Sequence, residues 1–326
     1  MKPATYLKRL FTGFFLMLSA GFVYAVWFNL HYPLPLSDHI SLDAKVRFVR
    51  ETIDPDQIDT IILGSSIGLN NVLGTVLEKK SKVIHHALNL SVYGATATQV
   101  YQLMELTKAF PNLKRIIYSA QYSDFPHPWK LKNYHPDLLR RYMRHELGPL
   151  SYAKMFFQAT VNIPFLYNRQ KEWVPKHQQP NKFESLLFDA SGSVPLHIYG
   201  KDIISHRWRL PQPGVMHPDS FWALSQMAKL SQERGIRFYL VHQPYRKGLY
   251  DKYAKVRHAI SYFDKLAQAS IKRYGGILIK TQSLHLADKY FADRTHLNDS
   301  GSPKISSYIA HQIDKLESSK EKPHAK

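Results

Sequence analysis

The chain has 326 residues, 44% of them hydrophobic, which is enough for one large core or two modest ones and argues against global disorder. Its formal net charge is +19, with 17 histidines besides, a balance that favours anionic partners such as acidic lipid surfaces or polyanionic polymers. The absence of cysteine excludes disulfides, thiolate metal sites and cysteine catalysis. No finger, homeodomain or RNA-binding signature accompanies the charge, so a nucleic-acid reading rests on charge alone, and the outward topology predicted from the first element argues against such a partner.

The first element is residues 10–30, LFTGFFLMLSAGFVYAVWFNL, a run with no charged side chain. At a rise of about 1.5 Å per residue it is long enough to cross a hydrocarbon core about 30 Å thick. Lys2, Lys8 and Arg9 precede it, and no Lys or Arg follows until Lys45. The positive-inside rule then predicts a single-pass anchor in the inner (cytoplasmic) membrane, with a cytoplasmic N-terminus and an extracytoplasmic or periplasmic main body. The competing reading is a cleaved signal peptide, because VYA at 23–25 resembles a small-x-small cleavage site.

Residues 1–32 are thus the stub and anchor, and 33–57 a Pro-punctuated connector with an amphipathic piece, LDAKVRFVRETI. Five strand-like runs follow: 59–65, 82–90, 113–120, 236–243 and 276–281. Helical patterns lie between them at 97–110, at 219–235 with Asp219 as N-cap and Gly235 past the end, and at 251–273. A last helix runs from Ser302–Pro303 to about Leu316. Strands alternating with helices predict an α/β class, a three-layer α/β/α sandwich around a five-stranded, mainly parallel sheet, over 58–315. Residues 125–215, rich in Tyr, Trp, His, Arg and Pro, interrupt the pattern as an insertion: a lid or substrate wall, or a helical excursion with a solvated basic face. The tail, 316–326, reads as disordered.

Ligands of such sheets sit outside the carboxyl ends of the strands. The first strand candidate ends in GSSIGLNN, which puts Gly64, Ser65 and Ser66 at one of those ends. An activated serine needs a base, an orienter for the base and donors for the oxyanion. Near the other end of the chain, ADRTHLND holds Asp293 and His296, whose spacing of three lets one turn supply orienter and base. GSSIG also fits the nucleophile elbow of α/β-hydrolases, but that elbow follows several strands, whereas Ser66 follows the first. GSSIGLNN lacks the lysine and wider glycine spacing of a P-loop, which weakens a phosphate-cradle reading. His85 and His86, adjacent on a predicted strand, point to opposite faces and do not share a metal.

This arrangement resembles the SGNH/GDSL hydrolase superfamily. The resemblance implies Ser66 as nucleophile, Ser65 in the family's usual Asp position, and Asp293 and His296 as the last block. NLSVYGAT (89–96) looks like the second block, with Gly94 as oxyanion donor and Asn89 upstream. The third block, usually G-x-N-D, is replaced by IIYSAQYSDF (116–125), which makes Gln121 the substitute side-chain donor. SAQY is similar to the S-P-Q-W stretch of the membrane-anchored D-alanyl transfer proteins of lipoteichoic acid biosynthesis. What the resemblance implies is a serine-dependent acyl esterase or O-acyltransferase needing no metal or cofactor. It would act on an acylated envelope polysaccharide or teichoic-acid-like polymer, beside a multi-span membrane O-acyltransferase. His242, at the end of the fourth strand, is a further cleft candidate, with Ser65 and Asn89. The alternative is a non-catalytic member of the same fold that binds the polymer or organises the membrane enzyme.

Overall fold

The computed structural model describes residues 3–126, 128–208 and 216–319. Its helices and strands, in chain order, are α1 (Pro3–His31), α2 (Ile40–Thr52), β1 (Thr60–Gly64), α3 (Ser66–Asn71), α4 (Gly74–Lys80), β2 (Ala87–Asn89), α5 (Ala97–Leu103) and β3 (Arg115–Ala120). Next come α6 (Pro136–Met143), α7 (Pro149–Val161), α8 (Ile163–His177), α9 (Pro218–Glu233), β4 (Arg237–His242), α10 (Lys247–Lys252), α11 (Ala254–Lys272), β5 (Ile277–Lys280) and α12 (Ser302–Ser318).

The five strands form one sheet in the order β2-β1-β3-β4-β5, with every neighbouring pair parallel. A parallel sheet is covered on both faces, which is why β1 reads as an unbroken apolar run. Alternate residues serve opposite faces. Ile61, Leu63, Ile116 and Leu240 join Val100 of α5, Leu224 of α9 and Phe263 of α11 in one core. Ile62, Ile117, Val241 and Ile279 join Leu77 of α4 and Ile305 and Ile309 of α12 in the other. The expected three-layer α/β/α architecture is therefore present.

Several elements depart from expectation. Strand β2 is only Ala87–Asn89, and His85 and His86 are exposed residues ahead of it rather than strand residues. The expected helix 97–110 is α5 followed by a 3₁₀ turn, Met104–Ala109. The expected helix 251–273 is preceded by α10, and the chain breaks at the extended Tyr253. The N-cap of α9 is His217, whose ring accepts from the Asp219 N–H, so Asp219 lies inside the first turn. The segment 33–57 is no connector: Leu34, Leu36, Leu42, Val46 and Val49 are part of the main core. The tail is helical through Ser318, while 320–326 lie outside the described residues.

The insertion is mostly helical. Helix α6 packs on the 3₁₀ turn and α2, and α7 packs on α1. A strap after α8 crosses the carboxyl side of the sheet, where Val194, Leu196 and Ile198 close over Leu69 of α3.

Candidate active site

Helix α3 begins where β1 ends. Gly64 is required by the neighbouring strand rather than by a sharp turn: a Cβ there would stand 2.5 Å from the Ser119 carbonyl oxygen of β3. Ser65 is the N-cap, its Oγ accepting from the Ile67 N–H at 3.2 Å. Ser66 is the first helical residue, with an N–H that has no intrahelical partner. The loop carrying Asp293 and His296 is pinned opposite it. Phe291 and Leu297 form an antiparallel bridge across the loop. Asn71 spans the gap, with Nδ2 donating to the Thr295 carbonyl at 3.1 Å and Oδ1 accepting from the Leu297 N–H at 2.8 Å.

These supports bring three side chains into line. The Ser66 hydroxyl meets His296 Nε2 at 2.9 Å, and His296 Nδ1 donates to Asp293 Oδ2 at 2.8 Å. The other Asp293 oxygen accepts from the backbone N–H groups of Thr295 at 2.8 Å and His296 at 2.7 Å. Burial pushes the Asp293 carboxyl up, but the facing His296 ring and those N–H donors outweigh it and hold the group at about 2. An ionised carboxylate on Nδ1 fixes the tautomer that leaves Nε2 free to accept the serine proton.

The remaining candidates are placed less uniformly. Gly94 is exposed at φ +71°, a left-handed conformation that suits glycine, in the loop after β2. Gln121 is fully buried just past β3, but its Nε2 donates to the Pro244 carbonyl at 3.2 Å, a tie to the backbone rather than an arm into the cleft. Asn89 is no cleft residue. Its buried Nδ2 donates to the carbonyls of Gly68 and Val72, both at 3.0 Å, and ties β2 to α3. His242 is buried too, with Nδ1 at 2.7 Å from Asp264 Oδ1 and its ring against Phe263. It faces the α11 layer because it continues the alternation that turns Leu240 the same way.

Two groups at the site carried no sequence signal. Asp124 lies behind Ser65 and accepts from the Gln121 N–H at 2.9 Å. Burial pushes its carboxyl up to about 6, against hydrogen bonds from Gln121 and Ser65 and the influence of His296. On the outer side, the Phe183 ring stands edge-on to the His296 ring at 5.5 Å, and the Arg207 guanidinium lies over Phe183 at 4.2 Å. The Arg207 carbonyl accepts from the Arg294 N–H at 3.1 Å. Among the described residues, no carboxylate pairs with the guanidinium of Arg207 or of Arg294. Beyond Phe183 runs a groove of about 700 Å³ lined by Lys182, Phe183, Ile198, Ile204 and Arg207.

No family model matches the chain, and no curated protein matches it. Among solved structures it is similar to LAE5, described as an alpha/beta hydrolase enzyme from the metagenome of Lake Arreo, Spain. The identity is 11% and the TM-score 0.40, over 79% of this chain and 96% of that one. A likeness so distant supplies no residue roles.

Proposed function

We propose that the protein is a membrane-anchored, extracytoplasmic serine esterase or O-acyltransferase of SGNH type that acts on an anionic cell-envelope glycopolymer. The observation that carries this reading is the continuous chain Ser66–His296–Asp293 at the carboxyl edge of β1. A nucleophile after the first strand of a 2-1-3-4-5 sheet, with base and orienter from one loop, supports this type over an elbow set deep in a larger sheet.

In the reaction, His296 Nε2 takes the Ser66 proton as Oγ attacks an ester carbonyl, while Asp293 stabilises the imidazolium. The Ser66 N–H, which has no intrahelical partner, would receive the oxyanion, with the Gly94 N–H as the second donor that the family resemblance implies. Collapse breaks the ester bond, His296 returns the proton to the leaving alcohol, and the acyl group stays on Ser66. Water or a sugar hydroxyl then attacks the acyl carbonyl, giving its proton to His296. Collapse restores the Ser66 hydroxyl and releases an acid or a new ester. The guanidinium groups of Arg207 and Arg294, which pair with no carboxylate among the described residues, favour an acceptor bearing phosphate or carboxylate, as does the net charge of +19.

Retention of the anchor is supported by α1 itself. The helix runs unbroken through residues 23–25 to His31, and Ala25, Phe28 and Asn29 are buried against the domain. A cut after Ala25 would sever a packed helix. One observation favours the non-catalytic reading, a polymer-binding protein or partner of a membrane acyltransferase: the Gln121 amide is engaged by Pro244. Reaction of the detergent-purified full chain with a fluorophosphonate decides between them. Labelling of the wild type, lost in Ser66→Ala and His296→Ala, is expected. A folded but unlabelled wild type overturns the catalytic reading.

A further inference from the structure

Residues 155–168, MFFQATVNIPFLYN, form an uncharged stretch 14 residues long. That length is too short to span a bilayer and belongs either to a core helix or to a segment dipping into the interface. Exposure decides between these. Phe157 is 57% exposed, Val161 50% and Tyr167 57%. In water such a stripe is a liability, whereas in hydrocarbon it is matched.

The register with α1 sets the depth. The Trp173 ring of α8 stacks on Phe28 at 6.4 Å, and His177 meets Tyr32 at 5.1 Å. Toward its N-terminus α8 passes ever earlier turns of α1. There the α7–α8 hairpin and α1 enclose an apolar groove of about 630 Å³, lined by Met17, Gly21 and Phe22 on one side and Val161, Leu166 and Tyr167 on the other. Gly21 lies nine residues inside the end of the uncharged run 10–30, about 13 Å at the helical rise, which is less than half of a hydrocarbon core. The polar boundary agrees: Lys154 and Lys171 lie on either side of the stretch 155–168, and Lys171 Nζ sits over the Tyr167 ring at 4.3 Å, as a basic stem reaching back to headgroups does.

We infer that the α7–α8 hairpin is seated in the membrane leaflet facing the domain, and that its groove with α1 holds an acyl chain of a bilayer lipid. The inference rests on the anchor reading and is independent of the chemistry at Ser66. The groove is continuous with the lipid-facing surface of α1 and opens at acyl-chain depth, so its occupant is lipid rather than a peptide or a second copy.

Because the chain has no cysteine, single reporters are available. Leu16→Cys, Phe157→Cys, Val161→Cys and the domain control Lys79→Cys are labelled with an environment-sensitive fluorophore. The full chain is then reconstituted in phosphatidylcholine vesicles containing a minority of phosphatidylglycerol. Quenching by doxyl-labelled lipids is expected at 16, 157 and 161 and not at 79. Quenching at 16 alone overturns the hairpin's seat and leaves the anchor standing. Absence of quenching at all four overturns the anchor reading and this inference with it. For the groove, the probe is phosphatidylcholine with a diazirine in its acyl chain. Photolabelling of the hairpin is expected to fall severalfold in Gly21→Leu, where a Cβ meets nothing within 4 Å and the larger side chain fills the space. Unchanged labelling overturns acyl-chain occupancy.

Discussion

At the scale of single residues, the site separates two carboxyl groups by environment. Asp293 accepts three hydrogen bonds from the loop that carries it and is held at about 2, so it stays charged across the neutral range. Its expected role is to hold and charge-stabilise the His296 ring. Asp293→Asn keeps the volume but offers Nδ1 the wrong partner, so kcat on an activated ester is expected to fall by about 10²–10⁴ with the melting temperature little changed. A loss below about tenfold would remove Asp293 from the mechanism. Asp124, in contrast, is buried behind Ser65 and titrates near 6 in the folded chain against an ordinary 3.8. The native state then holds a proton that the unfolded state releases, so this contribution is full below about 4 and is lost as pH rises through about 6. Asp124→Asn is therefore expected to gain stability relative to wild type as pH goes from 4 to 7, in thermal melts taken across that range. Parallel profiles would show that Asp124 does not titrate there. The meeting of Ser66, His296 and Asp293 was legible from G-x-S and D-x-x-H, because each motif fixes its own local geometry. The direction of the Gln121 amide was not, since it depends on Pro244, far along the chain.

At the scale of elements, the site is a joint between α3 and the loop before α12, and its pins are side chains of α3 and α12. Asn71 carries two of these bonds, and the Ser302 hydroxyl donates a third to the Asn70 carbonyl at 2.9 Å. Asn71→Ala would strand a buried N–H and a buried carbonyl, at about 1–3 kcal/mol each. The expected result is a lower melting temperature together with slower fluorophosphonate labelling of Ser66. Labelling at the wild-type rate in a folded variant would reduce Asn71 to a structural tie. Asn71 stands in the quoted motif GSSIGLNN, yet its role was hidden, because its partners lie more than 220 residues on. Strand β2 illustrates the same limit. Its expected start is taken over by carboxylates: Asp59 accepts from the His85 N–H and Glu78 from the Ala87 N–H, so the strand begins late. Apolar periodicity sees the strand but not the side chains that compete for its backbone bonds.

At the scale of the whole molecule, the segments set apart in the sequence as connector and tail close against the sheet domain, whereas the anchor packs only through its last turns, at Ala25, Phe28 and Asn29. The tail is the sharpest case. Ile305, Ile309 and Ile313 repeat at helical spacing along the buried face of α12, and the next position in that series is Glu317. The polar run ESSKEK concealed it, although continuing the i+4 series would have placed it inside. Glu317 accepts a bidentate pair from Arg115 at 2.8 Å and a further bond from the Tyr239 hydroxyl at 2.8 Å, with Arg237 at 2.6 Å, which ties α12 to the amino ends of β3 and β4. Burial opposes its charge, but these donors prevail and hold the carboxyl at about 2, against an ordinary 4.5. The stabilisation it lends is therefore present above about 4.5 and lost as pH falls toward 2. Glu317→Ala leaves the Arg115 guanidinium buried beside one distant carboxylate, Asp59 at 3.9 Å. Breaking such a pair is expected to cost about 3–5 kcal/mol in denaturant unfolding at neutral pH, and the deficit should shrink as the wild type is acidified. Double replacement of Arg115 and Glu317 by Leu should recover part of the loss, because the buried guanidinium is then removed with its partner, while Arg237 is half exposed and Asp59 keeps its bonds from the Thr60 hydroxyl and the His85 N–H. A Glu317→Ala variant within about 1 kcal/mol of wild type would mean that the last turn of α12 frays in solution and that the sheet is closed by the isoleucine face alone.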